Sequence, residues 1–573
     1  MRQLTAVDTS SHWDADVAVD YRPVGASRAK PIGFVDSRGP TVELSRAALF
    51  DDARAVAAGL AAHGLRRGDR VVLVAATGPD YLIVLLGCLL AGVAPCTVAA
   101  PVNPSDPSSA GVRHLCAAVT VVDPVCAIVI GPQAIAALPR ATPILTVEHL
   151  RGHGTAALGT LPTPEPDRVH HIQMTSGSTA SPKAVLLTHR NVAANLHVLA
   201  TSTGLQASRD SISIWLPLHH DMGLVQVLLS LTSGIGLDLM SPVGFLRDPL
   251  SWLRRMDERS ATLTGAPPFA YRTIAERQQK RPATDLDLSR IRQMYVGAEP
   301  LPIAALRCFR DTFADCGLAD EVLVPCYGMA ETVLASALAL EVRPRGDVSF
   351  GRVRAMDFDR DALDERRTAV AAFDGRPTRT MVSCGQAVPG LTIRIVDDHG
   401  VELPDGRIGV ITLEGSSLTT GYLTADAPTR SREGAHDTGD LGVRYEGELY
   451  VVGRTQEMLD VDARRLAPYD IEALIEEHPR VGPGHSAVFG HAAGEDAPAG
   501  PVVAFVETNA PASEWPALSA QVTGTVRETF TLELADIVVV RRGTIPRTSS
   551  GKRRRGALRS AYLEGAAMPV TER

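Results

Sequence analysis

From residue 41 onward the chain alternates helix-like and strand-like segments, and this alternation restricts the fold more than any other feature. Residues 44–63 carry an alanine-rich helical period, and Arg70-Val71-Val72-Leu73-Val74-Ala75 is a short β-branched strand. Residues 81–100 are then apolar throughout except for Thr97, about the length that spans a bilayer. Gly92 and Pro95 interrupt that run, and Asp80 stands at its start without basic flanks. It therefore reads as a buried helix over 79–91 feeding a core strand over 93–99, with no membrane span. Cys126-Ala127-Ile128-Val129-Ile130 continues the pattern. Such alternation implies an α/β fold, a parallel sheet with helices on both faces. At 573 residues the chain is too long for one core and predicts two or more domains.

Composition narrows the function. A net charge of -8 gives no overall attraction for nucleic acid. Eight cysteines lie without CxxC pairs or histidines at ligand spacing, so they read as small buried hydrophobes in a reducing compartment. Residues 1–20 contain no apolar signal region, and a cytoplasmic protein is expected.

Strand-like residues 171–174 and 184–187 enclose Thr175-Ser176-Gly177-Ser178-Thr179-Ala180-Ser181-Pro182-Lys183. A phosphate needs several donors at once, and hydroxyls, close backbone N–H groups and one lysine supply them. The spacing is not that of a Walker loop. Ser/Thr-rich loops are commonly solvated linkers, but a turn between two strands is a rigid place for a ligand loop. Thr188 is placed to cap a following helix with Val192, Leu196 and Leu199 on one face. Next comes Leu216-Pro217-Leu218-His219-His220-Asp221-Met222-Gly223. Adjacent His219 and His220 are expected to point apart, which disfavours a shared metal. A pocket corner with one imidazole directed at a bound group is the better functional reading.

A second α/β unit leads into Gly297-Ala298-Glu299-Pro300, and then a strand delivers Tyr327-Gly328-Met329-Ala330-Glu331. Tyr327 either stacks on a purine or packs in the core. Glu331 either takes one oxygen position on a magnesium ion held mainly by phosphates or is a surface charge. Residues 341–380 turn Arg/Asp-rich and read as an insertion holding an amphipathic helix over 361–373, with Leu363, Val370 and Phe373 on one side. Residues 385–423 return to short β-runs, predicting a small antiparallel or barrel-like subdomain. His436-Asp437-Thr438-Gly439-Asp440 precedes a hairpin over 442–452 turning at Glu446-Gly447, then Gly453-Arg454. Beyond Arg454 the pattern is a compact α+β module, so the domain boundary is expected at 454–460. This divides the chain into domains of 1–454 and 455–573. The second carries Pro546-Arg547-Thr548-Ser549-Ser550-Gly551-Lys552, a turn that can deliver one mobile ammonium to a site in the other domain. Arg553, Arg554 and Arg555 are either a solvated face or a docking patch for an acidic partner.

Taken in order, these motifs resemble the adenylate-forming superfamily of acyl-CoA synthetases, peptide-synthetase adenylation domains and luciferases. Leu216 to Gly223 is similar to the His-Asp-Met-Gly signature of the fatty acyl-AMP ligases. The insertion lies where those ligases carry an extra segment associated with disfavouring the CoA-dependent step. The resemblance implies a large N-terminal domain of layered α/β subdomains with a small β-barrel-like one, plus a mobile C-terminal lid. It implies that a fatty acid is activated by ATP, with Mg2+, to acyl-AMP and pyrophosphate, then transferred to the phosphopantetheine thiol of an acyl carrier protein. The alternatives are CoA as acceptor and a degenerate acyl-nucleotide binding protein.

By family position, Lys552 bridges the carboxylate and the α-phosphate, Glu331 holds magnesium, and Asp440 accepts the ribose hydroxyls with Arg454 nearby. Gly297, Ala298, Glu299 and Tyr327 to Ala330 wall the adenine. Thr175 to Thr179 and Lys183 hold the β- and γ-phosphates. His220, with Asp221, Met222 and Gly223, marks the junction of acyl tunnel and nucleotide. The chain departs from the family at five positions: Ala180, Ala184 and Ala463 replace usual glycines, Gln456 takes the hinge place of Asp or Lys, and Pro268 that of Asn. If Ala180 or Ala184 requires positive φ, its methyl group narrows the approach to phosphate.

Overall fold

The strand Arg70–Ala75 is buried along almost its whole length because it lies inside a sheet covered on both faces. In this computed structural model the described residues are 3–4, 17–21, 30–35, 40–152, 161–175, 183–342, 346, 349–424, 428–430, 434–491, 500–548 and 551–565. The helix Arg46–Ala62 begins at Ser45, whose Oγ accepts the Ala48 N–H at 3.1 Å. The helix Pro79–Ala91 is buried from Tyr81 to Leu90, which accounts for its unbroken apolar sequence, and it ends on Gly92 at φ 71. No helix among the described residues is long and apolar enough to cross a membrane.

The first large sheet runs, in order, Pro428–Arg430, Gly421–Leu423, Lys183–Thr188, Val169–Thr175, Ala94–Ala99, Arg70–Ala75, Cys126–Val129 and Ile144–Thr146. Its later members pair in parallel, as the helix-strand alternation predicts. Val169–Thr175 and Lys183–Thr188 pair antiparallel, with Thr175 opposite Lys183, so the suggested cradle is the loop of a hairpin. Residues 176–182 lie outside the described residues, and with them the expectations for Ser176, Gly177, Ser178, Thr179 and Ala180. Thr188 caps the helix His189–Ser202 reciprocally with Asn191, and Val192, Leu196 and Leu199 are buried.

A second large sheet has a parallel centre: Leu323–Gly328, Gln293–Val296, Leu263–Ala266, Ser211–Ile214, Gly236–Met240 and Ile32–Val35. Antiparallel strands flank it on both sides. The subdomain read as antiparallel or barrel-like contains a four-stranded antiparallel sheet, Leu391–Val396, Gly409–Gly415, His436–Tyr445 and Glu448–Arg454. Its last hairpin turns at Glu446 and Gly447, both at positive φ, as a tight two-residue turn requires.

The insertion corrects one expectation. Its helix covers only Arg360–Asp364 rather than 361–373. Asp359 caps it by accepting the Ala362 N–H at 3.0 Å, and Arg367 at φ 51 breaks the helical path. The chain then bonds sideways, Ala369 N–H to the Gly406 carbonyl, so Leu363 is buried while Val370 and Phe373 are exposed. The two-stranded sheet Ala355–Asp359 and Thr378–Val382 frames the segment.

After Arg454 a smaller α+β body packs separately. Its sheet Ser486–Gly490, Val502–Thr508 and Leu534–Arg541 is covered by the helices Pro468–Glu476, Trp515–Phe530 and Arg555–Leu563, around cores of its own. The insertion meets this body. Arg379 pairs with Asp470 at 3.0 Å, and Arg360 donates to the Thr529 carbonyl while standing 4.8 Å over the Phe530 ring.

Candidate active site

Tyr327 is the last side chain of the strand Leu323–Gly328, whose final residue has to be glycine: a Cβ on Gly328 would run into the Leu334 carbonyl oxygen, where the chain doubles back through Val333 at φ 70. The tight return presents the Tyr327 hydroxyl to Asp440, donating to Oδ2 at 2.8 Å. Across the hairpin Asp440 faces Arg454, with Oδ1 3.3 Å from the guanidinium Nε. Burial raises the Asp440 carboxyl, while Arg454, the Tyr327 hydroxyl and Lys552 pull it down. Tyr327, buried beside that carboxylate, is held well above the ordinary phenol value.

Glu331 sits in the short turn Ala330–Thr332, fixed by the Thr419 N–H donating to its carbonyl at 2.7 Å. Its Oε1 accepts the Tyr422 hydroxyl at 3.0 Å. Lys183 Nζ stands 5.6 Å over the Tyr422 ring, and the His436 ring lies 6.4 Å away on a tilted approach. Burial lowers His436; Glu331 and Asp437 oppose that shift and Lys183 adds to it. These contacts gather a lysine, a carboxylate, a phenol and an imidazole in one cluster. Thr175 closes the hairpin beside Lys183, its hydroxyl donating to the Lys183 carbonyl at 3.4 Å.

Lys552 arrives on a turn in which Thr548 N–H donates to the Lys552 carbonyl at 2.8 Å and Lys552 N–H to Thr548 Oγ1 at 3.1 Å. Gly551, at φ 89, brings the turn against the large domain: a Cβ there would lie 3.3 Å from Phe269 Cε1. The ammonium acts electrostatically on His220, Asp221, Glu299 and Asp440, residues from three separate segments. Burial raises Asp221 and Glu299, and Lys552 opposes both shifts, helped at Glu299 by Arg553, Arg272 and Arg547. Glu299 follows Gly297, whose Cβ would lie 2.6 Å from the Cys326 carbonyl oxygen, and Ala298 at φ 69.

The two histidines differ from expectation. They do not point apart: a turn in which His220 N–H donates to the Pro217 carbonyl brings their rings to 4.4 Å. His220 occupies the N-cap position of the helix Asp221–Ser233 without a side-chain capping bond, and the Asp221 carboxylate accepts the Met222 N–H at 2.7 Å. Burial pushes His219 down to about 4, with His114 contributing. Burial, then His219, Lys552 and His114, hold His220 well below the ordinary imidazole value. Both rings are neutral at pH 7.

The basic run is neither a solvated face nor a docking patch at two of its three positions. Arg555 binds Glu472 through Nε and Nη2 at 2.8 and 2.7 Å and reaches Glu457 at 2.7 Å, and Arg553 pairs with Glu472 and Glu476. Arg554 is exposed, close enough for its charge to act on His114.

Departures from the family pattern find local explanations. Ala184 lies buried in the strand Lys183–Thr188, paired with Met174 and Leu423, and its φ is not positive. Pro268 opens the helix Pro268–Lys280, where its missing N–H has no helical partner to lose. The positive φ of the hairpin Leu459–Val461 to Arg464–Leu466 falls on Asp462, at 53, not on Ala463. Gln456 occupies the short turn Thr455–Glu457. Tyr422, His436 as a site residue, and His114 escaped the sequence reading. His436 opens the Asp437–Asp440 motif and carried a signal; Tyr422 and His114 sit in no motif.

Fold and site together define an adenylate-forming ligase. The chain belongs to the family of AMP-binding enzymes, whose model matches residues 27–423. It is 30% identical over 563 residues to the long-chain-fatty-acid–AMP ligase FadD32 of Mycobacterium marinum, covering 87% of this chain and 86% of that one. It is 30% identical over 581 residues to the medium-chain-fatty-acid–[acyl-carrier-protein] ligase JamA of Moorena producens, covering 96% and 94%. A structure from the study of fatty acyl-adenylate ligases from E. coli and L. pneumophila superposes with a TM-score of 0.83 at 28% identity, covering 94% of this chain and 96% of that one.

Proposed function

We propose that this enzyme joins a fatty acid to AMP and passes the acyl group to the phosphopantetheine thiol of a carrier protein. One observation carries the reading: a single lysine from the C-terminal body acts on His220, Asp221, Glu299 and Asp440 together. Similarity to the carrier-protein ligase of Moorena producens supports the acceptor.

In the first step a carboxylate oxygen attacks the α-phosphorus of ATP, a P–O bond forms, and the bond to the β-phosphate breaks to release pyrophosphate. Two anions must approach, so positioning and charge neutralisation dominate. Lys552 neutralises the carboxylate and α-phosphate. Asp440 accepts the ribose hydroxyls, steadied by Arg454 and Tyr327. Gly297, Ala298, Glu299, Gly328, Met329 and Ala330 wall the adenine. Thr175, Lys183 and the loop between them hold the leaving phosphates. His220, neutral, approaches the carboxylate without competing for it, and Asp221, Met222 and Gly223 border the acid. Glu331 fits a magnesium site: Tyr422 takes one carboxylate oxygen and the other has no hydrogen bond among the described residues. Bound there with the phosphates, Mg2+ would neutralise charge on the pyrophosphate. In the second step the thiol gives up its proton to solvent, its sulfur attacks the acyl carbonyl to form a C–S bond, and the bond from the acyl carbon to the phosphate oxygen breaks to release AMP. The domains divide after Arg454, and the protein works in the cytoplasm.

The test is acyl transfer from ATP and a fatty acid to CoA or to a phosphopantetheinylated carrier. The reading predicts carrier acylation. Efficient CoA acylation with none on the carrier makes the enzyme an acyl-CoA ligase.

A further inference from the structure

The turn that carries His219 and His220 joins the strand Ser211–Ile214 to the helix Asp221–Ser233, and the successive carbonyls of residues 217–220 each accept a hydrogen bond. The chain meets the outer two locally: His220 N–H donates to the Pro217 carbonyl at 3.2 Å and Leu224 N–H to the His220 carbonyl at 2.9 Å. The middle two are met from the other large sheet. The Tyr81 hydroxyl donates to the Leu218 carbonyl at 3.1 Å, and Gln173 Nε2 to the His219 carbonyl at 2.6 Å.

Both donors are built into the first sheet and its cover. Gln173 lies in the strand Val169–Thr175, 3% exposed, and Tyr81 in the helix Pro79–Ala91, 1% exposed. The neighbouring strand Ala94–Ala99 pairs Cys96 with Ile172, which sets Thr97 beside Gln173 one position further on. Thr97 Oγ1 lies 3.2 Å from the Tyr81 hydroxyl. Tyr81 gives its single proton to Leu218, so Thr97 donates to Tyr81 and fixes its direction. Backbone carbonyls held away from water need such partners. At Gln173 the consequence goes further. The His219 carbonyl belongs to the peptide unit whose N–H is that of His220, so Gln173 and the Pro217 carbonyl hold one planar unit from its two ends. The orientation of that plane sets the direction in which the His220 side chain leaves the backbone. The helix leaves the turn no slack on its inner side, because a Cβ on Gly223 would lie 2.5 Å from the Pro217 carbonyl oxygen.

We infer that Gln173 is a positioning residue for adenylate formation: it holds the His219–His220 peptide so that His220 faces the acid's carboxylate, and Tyr81 holds the preceding peptide in the same way. The inference rests on the role proposed above for His220. Gln173 acts through that imidazole rather than on a substrate itself. It stands two residues before Thr175, where the phosphate-loop hairpin opens opposite Lys183. One strand therefore supports both the loop for the leaving phosphates and the corner for the carboxylate.

The experiment measures acyl-AMP by mass spectrometry from ATP and a series of straight-chain acids, with ATP affinity from equilibrium binding and melting as the folding control. It uses the full-length enzyme, Gln173→Leu, Gln173→Glu, Tyr81→Phe, His220→Ala and the double variant of Gln173→Leu with His220→Ala. Gln173→Leu should lose about 10- to 100-fold in kcat for the best acid while the Kd for ATP stays within about twofold. Added to His220→Ala, it should cost less than about twofold more, because both changes remove one function. Tyr81→Phe should show a smaller loss with the same split between kcat and ATP binding. Gln173→Glu can donate only when its carboxyl is protonated, so its deficit against the wild type should shrink as pH falls from about 9 to about 6. Losses that multiply in the double variant, weakened ATP binding with kcat unchanged, or a Gln173→Glu deficit that ignores pH overturn the inference and leave the ligase reading intact. If Gln173→Leu does not fold, Tyr81→Phe combined with His220→Ala decides by the same rule. No acyl-AMP from the wild type with any acid overturns both.

Discussion

Tyr327→Phe removes one oxygen atom and leaves Asp440 with Arg454 as its remaining close partner. The lost bond is short, 2.8 Å, to a carboxylate that is 7% exposed, so little water replaces it. A hydrogen bond to a buried charge contributes roughly 1.5–3 kcal/mol, and its loss moves the Asp440 carboxyl further upward. Burial has already raised that carboxyl, and in the role proposed for Asp440 it is the ionised form that accepts the ribose hydroxyls. The variant should therefore lose roughly 10- to 100-fold in kcat/KM for ATP near neutral pH. The acid limb of its pH profile should move upward, so that the variant regains activity in more alkaline buffer. Pyrophosphate release with ATP varied across pH reads both quantities, and thermal melting controls for folding. An unchanged KM for ATP with an unmoved acid limb would refute the role given to this pair.

Asp364 in the insertion has its carboxyl raised to about 7, chiefly by burial and also by Asp470, against Arg379, Arg360 and Arg464. A carboxyl raised in the folded state favours folding fully below its unfolded value, and that favour is lost as pH climbs through about 7. Asp364→Asn should therefore be more stable than the wild type at about pH 8, by at most about 4 kcal/mol, and no more stable at about pH 4. Melting curves at the two pH values decide it; equal shifts at both rule out the carboxyl as the cause. Ala184→Gly should leave the KM for ATP within about twofold and lower stability by roughly 0.5–1 kcal/mol, because a buried strand residue without positive φ gains nothing from glycine. A clear gain in ATP affinity would mean that the methyl group does obstruct phosphate. Gly328→Ala should abolish adenylate formation by displacing Tyr327 from the Leu334 return, and a variant with wild-type turnover would show that the return is dispensable.

Local sequence was a good guide where local forces decide. The helix Pro79–Ala91 and the strand Arg70–Ala75 fall where their apolar runs and the breaks beside them place them. The 361–373 helix was misjudged because its periodicity competed with bonds to Gly406 and Arg407, some forty residues away in sequence. The carboxylates and Lys552 announced themselves through motifs. Tyr422 and His114 did not, because each reaches the site only through the fold: Tyr422 by sheet pairing beside Lys183–Thr188, His114 from the face of a helix. His219 and His220 show the same limit, since their 4.4 Å approach depends on a turn that neither residue type encodes.

The central claim is that one lysine from the C-terminal body completes a site built on the large domain. Acyl-AMP formation by Lys552→Ala, with ATP and a fatty acid at saturating concentration, tests it most directly. The expected result is a loss of roughly 10²- to 10³-fold in turnover with an unchanged melting transition and retained ATP binding. Turnover within a few-fold of the wild type would contradict the claim and remove Lys552 from the chemistry.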